Sequence, residues 1–243
     1  MISSSPRSIL QERILHPYDP DKERRTDRKR NRVKINDREK TTIVLLLCLG
    51  AVCLMPSGCD LYPQYDFVPL EFPFAAPADI DYLAAFGIPD WSGPGHPHDG
   101  IDLRTIQPTT IIAPIHGTIS NITWNTTGAL STPPDLVMVH VTIYVNDEWH
   151  VKLVFEPSGV QADILQAQLN ALQVSQGQAV EAGDVIGDLL VGTEGYPHLH
   201  YMPFHNDVPQ CAYAHSSDAA RLIFDQIAAL PGNNMPAGTI CGD

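Results

Sequence analysis

The stretch "LVMVHVTIYVNDEWHVKLVFEP", residues 136–157, limits the fold of this chain more than any other. It is rich in Val, Ile, Leu and Tyr, whose branched and aromatic side chains suit a pleated surface. It is broken once, at Asn146 and Asp147, a pair that favours turns. Two such runs around such a break predict a β-hairpin. Its neighbours agree. "TTIIAPIHGTISNITW", residues 109–124, alternates about a turn at Gly117, and "VSQGQAVEAGDVIGDLL", residues 174–190, places short strands between glycines.

Helical spacing is confined to a few places. Ile164, Leu165, Leu169 and Leu172 recur at helical intervals in "ADILQAQLNALQ". "SSDAARLIFDQIAALPG" starts with capping residues and ends in Pro-Gly, which predicts a helix near the C-terminus. "DIDYLAAFG" predicts a short helix ending at Gly87. Four prolines and no steady period make residues 61–77 an extended tether that partly packs on the domain.

Charge divides the chain. Residues 1–58 hold twelve Lys/Arg and seven Asp/Glu, a balance of +5, and the rest holds three Lys/Arg (Arg104, Lys152, Arg221) and 21 Asp/Glu, a balance of −18. So acidic a body repels phosphate backbones, so no nucleic-acid partner is expected. It tolerates a cationic substrate or a metal ion. The four segments expected are a basic disordered stretch (1–42), a hydrophobic signal or anchor (43–58), an extended lead-in (59–92) and a folded domain with a C-terminal helix (93–243).

The apolar run "IVLLLCLGAVCLM", residues 43–55, is thirteen residues long, short for a membrane span and suited to a signal-peptide core. "PSGCD" follows, and Ser57 and Gly58 before Cys59 resemble the lipobox of bacterial lipoproteins, in which the cysteine is lipidated. Pro56 departs from the aliphatic residue usual there, and an uncleaved signal anchor is the other reading. Both predict an exported, membrane-anchored body in the periplasm or cell envelope; Asp60 resembles an inner-membrane retention signal. Outside the cytoplasm, Cys211 and Cys241, the remaining pair, predict one disulfide. Nothing in the sequence sets an oligomeric state.

Two segments carry metal-site chemistry. In "YPHLHYMPF", His198 and His200 share one face of a strand while Leu199 faces the core. About 7 Å apart along the strand, they do not readily crowd onto one ion, so one binds metal and the other stands beside it. In "HPHDGIDL", Asp99-Gly100 permits a bend that brings His98 and Asp102 together. His98, Asp102 and one of His198 and His200 make a set of two nitrogens and one oxygen, as catalytic zinc uses with an open place for water; His96 competes with His98.

"HDGIDL", "IIAPIHGTIS", "VSQGQAVEAGDVIG" and "HLHY" resemble, in that order, the four signatures of the lysostaphin/LytM-like zinc peptidases, peptidase family M23, over roughly residues 93–204. The resemblance implies a mainly β, antiparallel β-sandwich or barrel-sandwich-like peptidase domain with a few peripheral helices. It implies Zn2+ held by His98, Asp102 and His200, with His198 catalytic, and a peptide cross-link of peptidoglycan as substrate. One departure stands out: Glu156 occupies the place of the family's second catalytic histidine. Three readings are open: Glu156 is the general base, His140 or His150 substitutes from the same hairpin, or zinc is bound without efficient hydrolysis. As a plain strand-end carboxylate, Glu156 would be held by a backbone amide or by Arg104. The third signature also resembles a biotinyl or lipoyl carrier turn, but such carriers display a lysine at a hairpin tip and Lys152 lies within a strand pattern.

Overall fold

The computed structural model describes residues 62–89, 93–126, 137–158, 162–192, 196–233, 235 and 239–242. Of the two compact units, Met1–Cys59 and Asp60–Asp243, all of these belong to the second. The basic stretch, the apolar segment and Cys59 lie outside the described residues.

The described strands and α-helices are, in chain order, β1 (Ile80–Ala84), β2 (Ile101–Thr105), β3 (Thr109–Ile112), β4 (Gly117–Thr126), β5 (Val137–Tyr144), β6 (Trp149–Glu156), α1 (Ala162–Asn170), β7 (Ala179–Val180), β8 (Val185–Leu189), β9 (His198–His205), β10 (Val208–Pro209) and α2 (Asp218–Ala228). An antiparallel sheet runs β1-β2-β9-β6-β5-β4-β7, with β10 paired to β9, and its ends do not close into a barrel. A second antiparallel pair, β3 and β8, stands apart as a ribbon. Among the described residues the fold is mostly β with two α-helices, as the alternation requires.

That alternation is literal in β5, where Val137, Val139, Val141 and Ile143 are buried and the residues between them are half exposed. Val151, Leu153 and Phe155 of β6 and Leu199 and Tyr201 of β9 join the same core, together with Ile111, Ile186 and Leu189 of the ribbon and Phe224 and Ile227 of α2. One hydrophobic core therefore serves both sheets. The hairpin turn forms where expected: Asn146 Oδ1 accepts from the backbone N–H groups of Glu148 (3.0 Å) and Trp149 (2.9 Å). An Asn side chain thereby replaces the ladder bonds the chain loses on turning.

The helix expected at residues 79–87 is instead β1, an edge strand paired with β2. A register shift between Ile80 and Tyr82 lets Ile80 and Leu83 both turn inward. A bulge of this kind places residues three apart on one face, which imitates helical spacing. The proline-rich lead-in is pinned along its length, with Leu70, Phe72 and Phe74 buried and Leu70 N–H bonded to the His215 carbonyl. Ser217 caps α2 by accepting from Ala220 N–H at 3.1 Å. Cys211 and Cys241 are joined in a disulfide, with Cα atoms 5.5 Å apart.

Candidate metal centre

The site is a consequence of strand register. Asp102 on β2 lies opposite His200 on β9, which lies opposite Val154 on β6; two residues along, Arg104, His198 and Glu156 form the next row. Residues two apart share a face, so Asp102, His198, His200 and Glu156 project from one side of the sheet. Leu199 and Leu103, on the other side, are fully buried. Strand pairing thus brings together residues separated by nearly 100 positions.

His98 arrives from the loop before β2 and is almost wholly buried. Its Nδ1 donates to the Ala85 carbonyl at 2.6 Å, and since a carbonyl only accepts, Nε2 is left with a lone pair. That Nε2 lies 3.1 Å from Asp102 Oδ1 and 3.3 Å from His200 Nδ1. His200 Nδ1 and Asp102 Oδ1 are 2.5 Å apart. The three ligand atoms lie within 4.8 Å of one another. Three acceptors converging on one point repel unless a cation lies among them, and two imidazole nitrogens with one carboxylate oxygen suit zinc. The His98–Ala85 bond is the outer support that metal-binding histidines normally show. The residues fit the group.

The electrostatics agree. Burial alone would raise the Asp102 carboxyl, but the His200, His98 and His198 rings around it hold it far below the usual carboxylate range. Burial likewise would lower His200, yet bonds to Asp102 and Asp99 push it up to about 9.

His198 stands beside this cluster. Its Nδ1 donates to the Tyr196 carbonyl at 2.7 Å. Its Nε2 faces Glu156 Oε2 at 3.4 Å and Asp102 Oδ2 at 3.8 Å. Burial raises the Glu156 carboxyl above its ordinary value, against the pull of His198 and His200. Glu156 is not held by Arg104, whose Nε and Nη2 both bond Asp81 at 2.8 Å.

Of the other candidates, His96 is exposed in the loop and is not in the cluster. His140 lies opposite Val154 on the same sheet face and bonds Asn125 Oδ1 at 2.6 Å. His150 stacks on Phe204, 4.6 Å between ring centres, several residues down β6 from Glu156. Asp99, read in sequence only as part of a turn, bonds His200 Nε2 at 3.2 Å; its place inside "HPHDGIDL" was the available signal. The Ala85 carbonyl had none.

Residues 96–211 match the sequence model of Peptidase family M23, so an M23 family domain spans that stretch. No curated protein matches the chain. Among solved structures, the chain is similar to a candidate M23 peptidase from Pseudomonas aeruginosa (18% identity, 74% of this chain and 61% of that one, TM-score 0.40). It is also similar to a zinc-containing peptidase from Vibrio cholerae (16% identity, 65% of this chain and 41% of that one, TM-score 0.39). A third is the catalytic domain of lysostaphin from Staphylococcus simulans (20% identity, 55% of this chain and 90% of that one, TM-score 0.37). The chain spans less than two thirds of the length of the first two.

Proposed function

We propose that this M23 family domain is an exported zinc metalloendopeptidase that cleaves peptide cross-links of peptidoglycan. The observation that carries the reading is the convergence of His98, Asp102 and His200 on one point, with the His198–Glu156 pair beside it on the same sheet face. His98 Nε2, Asp102 Oδ1 and His200 Nδ1 would hold the ion. Zinc bound there supplies a Lewis acid that polarises a carbonyl and acidifies water.

The remaining work falls to His198 and Glu156. Because His198 Nδ1 is committed to the Tyr196 carbonyl, its Nε2 donates to a developing oxyanion only when the ring is doubly protonated. The carboxylates of Glu156 and Asp102 flank that Nε2. Glu156, raised by burial, takes the proton of the attacking water and returns it to the leaving amine nitrogen. A carboxylate shifted toward neutral pH suits both directions of that transfer.

The body is proposed to be anchored through the apolar segment of residues 43–58, by lipid at Cys59 or by the uncleaved segment. The Cys211–Cys241 disulfide supports a compartment outside the cytoplasm. A second reading, a catalytically weak relative that binds cell wall or regulates another hydrolase, is favoured by Glu156 standing where the family has histidine. Zinc content and digestion of purified peptidoglycan separate the two. Wild type is expected to bind one zinc and cut; His200→Ala loses the metal; Glu156→Ala keeps it and loses activity by about 10²-fold or more. A zinc-loaded wild type that never cuts selects the second reading, and full zinc in His200→Ala removes the ligand assignment.

A further inference from the structure

Beside the His198 row opens a cavity of about 410 Å³ lined by Tyr82, Ala84, Asp102, Arg104, Tyr196 and His198. Among its described lining residues the one Lys or Arg is Arg104, one of three in a body with a balance of −18. Such a body offers a carboxylate-bearing peptide no general attraction. Arg104 offers a carboxylate a local cation in this cavity, directly across the strand pair from His198.

The guanidinium is built as a receptor. Its Nε and Nη2 are fixed side-on by Asp81, each at 2.8 Å. Its carbon lies 5.0 Å from the centre of the Tyr82 ring and 5.2 Å from that of Tyr196. Tyr82 is the partner of Arg104 on β1, and Tyr196 precedes His198 by two residues on the β9 side. The guanidinium therefore lies over two aromatic rings, one on the neighbouring strand β1 and one in the segment leading into β9, which help to hold it in one orientation. A guanidinium has five N–H donors in a fixed fork. Asp81 uses two, and among the described residues no protein acceptor bonds Nη1. The end-on edge is left to accept a second carboxylate in two parallel hydrogen bonds.

We propose that Arg104 is the specificity-determining residue of this site, binding a free carboxylate of the substrate peptide in the Tyr82–Tyr196 pocket, on the β1 side of the scissile bond. This rests on the reading of the site as a peptidase and adds the substrate's charge to it. Asp81 acts through Arg104 as a positioning residue.

The test uses the zinc-loaded full chain with two synthetic cross-linked stem-peptide dimers, one with free carboxylates and one with those groups as carboxamides. Turnover is measured for both, and dissociation constants are measured by calorimetry with the zinc-loaded Glu156→Ala chain. The acid dimer is expected to show a KM and a dissociation constant about tenfold lower than the amide, the scale of one charge-assisted hydrogen-bonded contact. Arg104→Gln abolishes this preference by raising KM for the acid dimer alone, with kcat within about twofold, and Arg104→Lys keeps part of it. If Arg104→Gln depresses both dimers equally, or the acid is bound no better than the amide, the proposal is overturned. If neither dimer is cut while the binding preference and its dependence on Arg104 persist, the recognition stands and the peptidase reading fails.

Discussion

Gly100 shows how narrow the tolerances are at a single residue. A Cβ built there would lie 2.7 Å from Cε1 and Nε2 of His200 and from Cγ of Met202. The residue is needed for close approach of the His200 ring to the backbone rather than for an unusual dihedral. Gly100→Ala should displace the imidazole and weaken zinc binding by about tenfold or more in a competitive chelator titration, with only a modest fall in Tm. A second expectation concerns pH in the metal-free chain. His200 is raised to about 9 from an ordinary 6.5, so its contribution to stability is full below 6.5 and is lost as pH rises through 9. Asp102 is depressed, so its contribution is full above the ordinary carboxylate value and is lost as pH falls through its folded value. Urea unfolding of the chelator-treated chain should therefore show lower stability at pH 9.5 than at pH 6, and His200→Gln should remove much of that difference. His98, Asp102 and His200, which the fold gathers as a possible metal set, stand out in the sequence because residue type and short spacing mark them. Asp99, Ala85 and the Arg104–Asp81 pair do not, because their roles depend on what the fold sets beside them.

Each element takes its place from patterning, and its local chemistry sets its ends. The hairpin of β5 and β6, the two helices and the glycine-bounded strands β7 and β8 lie where alternation, helical spacing and turn residues predict. β1 is the exception, since its bulge puts Ile80 and Leu83 on one face and copies the helical interval. Burial of two residues three apart does not distinguish a bulged edge strand from one turn of helix; only pairing with β2 does. At the start of α2, Ser217 Oγ both accepts from Ala220 N–H at 3.1 Å and donates to Glu71 Oε2 at 3.0 Å. Ser217→Ala removes both, and thermal unfolding should report a loss of about 1 kcal/mol with zinc content unchanged. A loss of zinc in that variant would mean that α2 supports the metal centre, which none of its hydrogen bonds suggests.

In the described unit as a whole, the C-terminal tail is wired to the site. The Cys211–Cys241 disulfide holds the tail, the Ile240 carbonyl accepts from Phe86 N–H at 3.0 Å, and the adjacent Ala85 carbonyl accepts from His98 Nδ1 at 2.6 Å. Gly87 N–H also bonds the His98 carbonyl at 2.8 Å. Reducing the disulfide, which spans a sequence separation of 30, should cost about 3–4 kcal/mol by the chain-entropy argument. It should also weaken zinc binding, because the tail no longer steadies the segment that orients His98. Unfolding and chelator competition, each with and without reductant, measure the two effects separately; an affinity untouched by reduction would limit the disulfide to global stability.

By itself the sequence determined the β class, the strand-and-turn punctuation and the residue types able to hold a metal. These are local properties: side-chain period, turn chemistry and donor identity are set within a few residues. Only the tertiary structure decided that β2, β9 and β6 are neighbours in a register that aligns Asp102 with His200 and His198 with Glu156. It likewise decided that β1 brings Asp81 and Tyr82 to Arg104. Strand order and register are chosen by burial of a shared core, and a one-residue slip would turn every one of these side chains to the opposite face.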